Sequence, residues 1–231
     1  MIVNHQYKFI FLKTRKTAGT SIEIALSQFC GPDDIITPIT PIDEEKRQAL
    51  GYPGPQNYQV DTRHYSAGDW MRRLFKGKHK QLTNHSTAAY VKSVLDPKVW
   101  DSYFKFSFER DPFDKAISSY YWRTKKLDPR PPIAEFLSTV PERRICNWDV
   151  YAIGDEVCVD FIGRYENLNN DLALVQEKLG LPGDITLEKT KAGHRKNRDH
   201  YSKVLDAESR QIIEKVCARE ISALDYPWRD Q

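Results

Sequence analysis

The sequence lacks the cysteine spacings that build metal or disulfide sites. Cys30, Cys146, Cys158 and Cys217 include no Cys-x-x-Cys pair and no Cys/His ligand spacing, so neither a zinc site nor a disulfide framework is signalled and a reducing compartment fits. No stretch approaches the roughly 18 consecutive apolar residues of a membrane span. The opening MIVNHQYKF carries no basic stretch followed by a long apolar run; together these absences predict a soluble, cytoplasmic protein. A large charge excess is also missing: the net charge of +3 is too small to argue for a nucleic-acid partner unless it is gathered on one face. What is abundant is aromatic. With 12 Tyr, 10 Phe and 5 Trp among 231 residues, the chain has the apolar bulk for a single domain spanning 1–231 with a real core. No internal repeat is visible.

Tyr7 to Leu12 (YKFIFL) is a short, nearly unbroken apolar run, predicting a strand buried on both faces of a parallel sheet, first in the chain and central in the sheet. Small and basic residues from Thr14 to Gly19 interrupt it. Thr20 or Ser21 is then placed to cap a helix over SIEIALSQF, with Ile22, Leu26 and Phe29 inward. Between Gly31 and Lys80 the order dissolves into GPDD, TPITP and GYPGPQ, broken by a helix near Ile42 to Leu50; irregular segments this long are usually functional or mobile. A helix over Ser86 to Leu95, stopped by Asp96-Pro97, precedes a strand over Tyr103 to Glu109. Pro112 then opens a helix over Phe113 to Lys125, with Ala116, Ile117, Tyr120 and Tyr121 at core spacing. A third apolar run, Cys158 to Tyr165, leads into a helix from Asn167 to Leu179 with Gly180 as its stop. A final helix covers Asp206 to Leu224, turning Ile212, Ile213, Val216, Ile221 and Leu224 inward. The alternation predicts a parallel α/β fold.

A loop between a buried strand and a helix N-terminus offers backbone N–H groups and the positive end of the helix dipole to an anion, and Lys16 adds a mobile charge. The familiar nucleotide loop GxxxxGK[ST] puts its lysine after the glycines, whereas Lys16 precedes Ala18-Gly19-Thr20-Ser21. Arg110, at the carboxyl end of the next parallel strand, is aimed at the crevice where open α/β sheets bind ligands, and guanidinium suits bidentate phosphate contact. Ser118 follows on the next helix. The bland alternatives are ordinary turn chemistry in the loop and pairing of Arg110 with Asp111 or Glu109.

These segments resemble the sulfotransferase family. Lys13 to Ser21 (KTRKTAGTS) resembles its 5′-phosphosulfate loop, commonly PKTGGTS, with Arg15 in place of proline and Ala18 in place of glycine. Phe106 to Trp122 (FSFERDPFDKAISSYYW) resembles its 3′-phosphate segment, an arginine at a strand end followed eight residues later by a serine. Val159 to Leu168 (VDFIGRYENL) resembles a later R-Y-E-x-L segment. The resemblance runs from Phe9 to about Trp228. It implies a P-loop-NTPase-like parallel sheet flanked by helices, and 3′-phosphoadenylyl sulfate (PAPS) as co-substrate without a metal. It places Arg15, Lys16, Thr17, Ala18, Gly19, Thr20 and Ser21 on the phosphosulfate, Arg110 and Ser118 on the 3′-phosphate, Tyr165 at the adenine, and Arg195, in the basic run 194–198, over the nucleotide.

The same resemblance implies in-line transfer of the sulfuryl group to a hydroxyl acceptor, a carbohydrate by first choice. Lys16 and His85 are then catalytic, His85 as the base, with His64 and Glu23 as further candidates. The acceptor is expected at the irregular 31–80 segment, where Tyr52, Tyr58, Tyr65 and Trp70 could stack on a ring. Arg72, Arg73, Lys76, Lys78 and Lys80 would either hold an acidic acceptor or be solvated surface. Two rival readings stand beside this one: a nucleotide or small-molecule kinase, which predicts magnesium dependence, and a non-catalytic nucleotide- or polyanion-binding module. The oligomeric state is left open.

Overall fold

The structure is a computed structural model that describes residues 1–183, 185–187 and 199–231. The chain opens on β1 (Ile2–Asn4) and β2 (Phe9–Phe11), paired antiparallel with Val3 opposite Ile10. A loop leads from β2 into α1 (Gly19–Ser27), after which β3 (Ile35–Ile36) returns beside β1. Next come α2 (Pro41–Ala49), α3 (Ala67–Lys76), α4 (Ala88–Val94) and α5 (Pro97–Ser102). β4 (Phe104–Glu109) feeds α6 (Pro112–Arg123), followed by α7 (Ile133–Thr139) and the single turn α8 (Trp148–Tyr151). The small ribbon of β5 (Ala152–Ile153) and β6 (Glu156–Val157) precedes β7 (Phe161–Arg164), α9 (Leu168–Leu179), α10 (Ala207–Val216) and α11 (Ala218–Leu224).

Among the described residues, the main sheet has the order β3-β1-β2-β4-β7. β2, β4 and β7 run parallel, with Phe11 beside Phe106 and Phe106 beside Phe161, while β1 and β3 are antiparallel. The sheet is therefore mixed rather than purely parallel. β2 is central as expected, but it is the second strand in sequence, because three residues of β1 are too few for a periodic signal.

Successive side chains of β2 point to opposite faces, and both faces are covered. Ile10 and Leu12 pack with Val91 of α4 and Trp100 of α5; Phe9 and Phe11 pack with Ile22 and Leu26 of α1, Phe106 and Phe108 of β4, and Leu172 and Val175 of α9. Each such side chain contributes about 1.5–3 kcal/mol relative to exposure, so the centre of the sheet is held firmly from both faces. The loop that leaves β2 starts there. A further core joins Phe113, Ala116, Ile117 and Tyr120 of α6 to Phe136 and Leu137 of α7 and Ile213 of α10.

Several expected boundaries move. α1 begins at Gly19, so Thr20 and Ser21 lie inside its first turn and Ala18, with no side-chain cap, is the N-cap. α3 and α5 add helices to stretches read as loop or breaker. The last helix divides at Cys217; Ile213 is buried, whereas Ile212, Val216, Ile221 and Leu224 are half-buried. No described helix is long and apolar enough to cross a membrane.

Candidate active site

The carboxyl ends of β2 and β4 lie side by side, and the loops leaving them meet across one cavity of about 1240 Å³. The first loop is an unusual piece of backbone. Lys16 (φ 67°) and Ala18 (φ 59°) both occupy the left-handed region, which costs an L-residue about 1–2 kcal/mol. Gly19 is required by space: a Cβ there would meet Lys13 Cγ at 2.8 Å and the Thr14 carbonyl oxygen at 3.2 Å. Strain of this kind persists only where the surroundings fix it, and here they do. Thr14 Oγ1 donates to the Phe108 carbonyl of β4 and lies 2.8 Å from Thr17 Oγ1. Asn147 grips Arg15 from both sides, accepting from its N–H at 3.0 Å and donating to its carbonyl at 3.1 Å.

Ala18→Gly tests that strain. Glycine removes the left-handed penalty but loses more chain entropy on folding, so the net gain should be about 0.5–1 kcal/mol. A raised urea midpoint is the expected result; a lowered one would contradict the strained backbone.

Two buried ionic groups hold the loop from behind. Lys13 Nζ sits 2.8 Å from Glu23 Oε2, and Arg47 reaches Glu23 Oε1 at 3.6 Å and Glu44 Oε2 at 3.2 Å; Lys13, Glu23 and Arg47 are all buried. Burial alone would push Glu23 up, but Lys13, the Met1 amine and Arg47 hold it down at about 2. The Met1 amine, 3.0 Å away, is itself pushed down to about 5 by burial. Lys13 and Arg47 are the side-chain cations that compensate Glu23. On the other side Lys115 lies 3.0 Å from Glu109 and 2.6 Å from Glu220, and Asn147 Nδ2 donates to Glu109 at 3.2 Å. Two carboxylates share one ammonium in this group, and burial pushes Glu109 up despite Lys115.

Arg110 leaves the end of β4 and ties three elements together. Its Nε donates to Asp114 Oδ2 at 3.1 Å and its Nη2 to the same oxygen; Nη1 lies 3.4 Å from the Lys16 carbonyl oxygen. The guanidinium stacks on Tyr165, 4.2 Å from the ring centroid. Its carboxylate partner is thus Asp114, one helical turn on, rather than Asp111 or Glu109. Asp111 instead caps α6, accepting from Phe113 N at 2.9 Å; burial pushes it up to about 6.

The cavity gathers most of the residues that the sequence singled out: Arg15, Lys16, Ala18, Gly19, Thr20, Ser21, His85, Arg110, Ser118 and Tyr165 all line it. Thr17 does not; it is fully buried, with its hydroxyl on Thr14 inside the loop. Arg195 lies outside the described residues. Glu23 is completely buried and occupied by cations, and it does not line the cavity, so it has no route to a bound hydroxyl. His64 sits in a short turn on an excursion of the chain, where its Nε2 accepts from Arg63, away from the cavity. Of the irregular 31–80 segment, Ile39 and Thr40 reach the cavity, and the aromatic and basic side chains from Tyr52 to Lys80 do not.

His85 Nδ1 lies 2.9 Å from the Lys13 carbonyl oxygen. A carbonyl only accepts, so Nδ1 carries the proton in the neutral ring and Nε2 keeps the lone pair. Burial, helped by Lys13 and Arg15, pushes His85 down to about 3. The ring is neutral throughout the physiological range.

Sequence reasoning missed part of the wall. Trp122, Arg123 and Arg144 line the cavity, and Lys16 Nζ lies 5.2 Å from the centroid of the Trp122 ring. Trp122 was within reach, since it stands one turn beyond Ser118 on α6. Arg144 and Asn147 carried no local signal. Burial, with Arg144, Arg143 and Arg123 nearby, lowers Arg15 to about 10, and its Nε is buried without a hydrogen-bond partner. The wall is cationic, therefore, with an indole set into it. Among the described residues no group of three or more His, Cys, Asp or Glu is arranged to hold a metal ion.

The sequence model of the sulfotransferase family matches residues 1–147, a span that takes in Lys16, His85, Arg110 and Ser118 and ends before Tyr165. A protein of Archaeoglobus fulgidus described as uncharacterized is 32% identical over 119 residues, which cover 50% of this chain and 96% of that protein. No solved structure matches the chain.

Proposed function

Because this chain belongs to the sulfotransferase family, we propose that it transfers a sulfuryl group from PAPS to a hydroxyl of a carbohydrate acceptor and releases 3′-phosphoadenosine 5′-phosphate. The observation that carries this reading is the bond between the two anion-binding elements: Arg110 Nη1 lies 3.4 Å from the carbonyl of Lys16, so a strand-end guanidinium and the loop opening α1 face one cavity. A ligand bearing phosphate at both ends of a nucleoside would use both. A triphosphate would load one end only. The fold implied is the P-loop-NTPase-like one, in a single domain, with β2 and the following loop in the place of the phosphate-binding unit.

In this reading PAPS supplies an activated sulfate whose bridging S–O bond breaks as the acceptor oxygen bonds to sulfur. The start of α1 and Lys16 hold the 5′ end, Lys16 placed to balance the charge that collects on the departing phosphate oxygen. Arg110 has five donors, of which three are accounted for by Asp114 and Lys16, leaving capacity for the 3′-phosphate beside Ser118. Tyr165, already against Arg110, offers an aromatic surface to adenine. His85 presents a lone pair on Nε2 to the acceptor proton, its ring fixed by the Lys13 carbonyl. Trp122 suits the apolar face of a sugar, and Arg15, Arg123 and Arg144 favour one carrying acidic groups.

Thermal denaturation with added nucleotides tests the cofactor assignment. 3′-Phosphoadenosine 5′-phosphate should raise the melting temperature more than AMP or ATP at equal concentration, since ligand binding to the native state alone stabilises by mass action. In Arg110→Ala its advantage over AMP, which lacks only the 3′-phosphate, should vanish. Equal shifts for all three would overturn the reading, and a magnesium-dependent preference for ATP would favour a kinase.

A further inference from the structure

α3 is built like a surface helix but covers nothing. Its ends are well made, with Ser66 and Asp69 forming a reciprocal cap and Gly77 (φ 61°) closing the last turn. None of its residues is buried. Trp70, Met71, Leu74 and Phe75 follow one another at i, i+1, i+4 and i+5, which places them on a single stripe. They are 43%, 58%, 77% and 79% exposed. Four adjacent large apolar side chains in water on one helix is the kind of surface that soluble monomers avoid.

The helix rides on an excursion of the chain from residue 61 to 79 with a firm neck. Val60 N–H donates to the Lys80 carbonyl at 2.9 Å and Leu82 N–H to that of Tyr58 at 2.8 Å; Val60 and Leu82 are buried in the core. Lys80 Nζ reaches Asp69 at 3.1 Å, and Tyr65 packs on Trp70 with ring centroids 5.4 Å apart. These contacts fix one side of the helix and leave the apolar stripe outward.

Charge identifies the partner. Asp69 is neutralised by Lys80, whereas Arg72 and Arg73 edge the stripe on its two sides, Lys76 stands on the opposite, polar face and Lys78 follows the end of the helix, none of the four with a carboxylate at ion-pair distance among the described residues. An apolar stripe edged by Arg72 on one side and on the other by Arg73, whose guanidinium lies 5.4 Å from the centroid of the Trp70 ring, is suited to lie in the headgroup region of an anionic bilayer. A second copy packed stripe to stripe would bring Arg72 and Arg73 against the same cations of its partner. A nucleic acid would leave the stripe in water.

We propose that α3 is a membrane-surface anchor that buries Trp70, Met71, Leu74 and Phe75 among the acyl chains and headgroups of an anionic lipid surface, with Arg72 and Arg73 on the headgroups and Lys76 and Lys78 adding positive charge nearby. The interaction is independent of the reaction assigned to the cavity. Flotation of the full chain with vesicles of phosphatidylcholine alone, and of phosphatidylcholine mixed with phosphatidylserine, tests it. The wild-type chain should float with the mixed vesicles, less with the neutral ones, and less again as salt is raised. L74E/F75E should weaken binding by roughly tenfold or more, and R72E/R73E should abolish the preference for the anionic vesicles. None of these four residues is buried, so the core is untouched, and unchanged melting temperatures would confirm that. Failure of the wild type to float, or equal flotation of L74E/F75E, would overturn the proposal. So would a wild-type dimer that L74E/F75E converts to monomer without any lipid binding, since the stripe would then belong to a second copy of the chain.

Discussion

Lys16→Ala is expected to lower turnover by about 10²–10³-fold while leaving the fold intact, the range seen when one preorganised donor to developing charge is lost. The side chain issues from a residue held at φ 67° and lines the cavity wall shared with Trp122. It is half-exposed, so its removal opens no hole in the core. Sulfuryl transfer puts new charge on the bridging oxygen only as the S–O bond breaks, and a cation placed there acts on the transition state more than on the bound donor. Steady-state kinetics with PAPS should accordingly show the loss in kcat, with KM for the donor changed much less.

His85→Asn gives the matched control. It keeps a donor for the Lys13 carbonyl, removes the Nε2 lone pair and should also lower kcat. Burial holds His85 near 3, so the pH profile of kcat/KM should show no inflection from it between about pH 6 and 8. If Lys16→Ala stayed within about threefold of wild type, the role given to this lysine would be wrong.

Glu23→Gln carries the largest expected loss of stability, about 3–5 kcal/mol, because removing one partner of a buried ionic group strands the charges that remain. Lys13 and Arg47 are essentially inaccessible to water and would both lose the buried Glu23 carboxylate, while Arg47 would keep Glu44. The pH dependence supplies a second signature. A carboxyl held at about 2 when folded and near 4.3 when unfolded favours the native state fully above the higher value. That contribution disappears as pH falls through the lower one. Wild-type stability should therefore drop between about pH 4.5 and 2 more steeply than that of the variant. Urea denaturation across this range measures both effects, and parallel curves would show that Glu23 is not held ionised. Since Lys13 also supplies the carbonyl that orients His85, the variant that folds should be catalytically impaired as well.

The comparison of sequence with structure turns on distance along the chain. β2, the loop with Lys16, and the pair of Arg110 and Ser118 were legible because each lies within one strand-loop-helix unit, where an apolar run, a polar break and a helical period occur in register. Gly180 was legible as a stop for the same reason, and it sits in the left-handed conformation at the end of α9. β1 gave no signal, since three residues establish no period. Asp96-Pro97 was read as a breaker, yet Asp96 caps α5 and Pro97 occupies its first turn; the same two residues end one helix and begin another. α3 was hidden by its composition, because a stripe with nothing to pack against looks like a run of charges interrupted by aromatics. Asn147 was out of reach altogether: nothing near it in sequence hints that its amide meets the backbone of Arg15.

That amide ties distant parts of the chain to a common fate. Asn147 binds Arg15 through its side chain and Glu220 of α11 through its backbone N–H. Glu220 in turn shares Lys115 with Glu109 at the foot of Arg110. Substitutions near the end of the chain would thus be felt at the loop near its beginning. Drift at these positions should be concerted, so that in a set of relatives the residue opposite Arg15 and the acid on the last helix would be inherited together or replaced together.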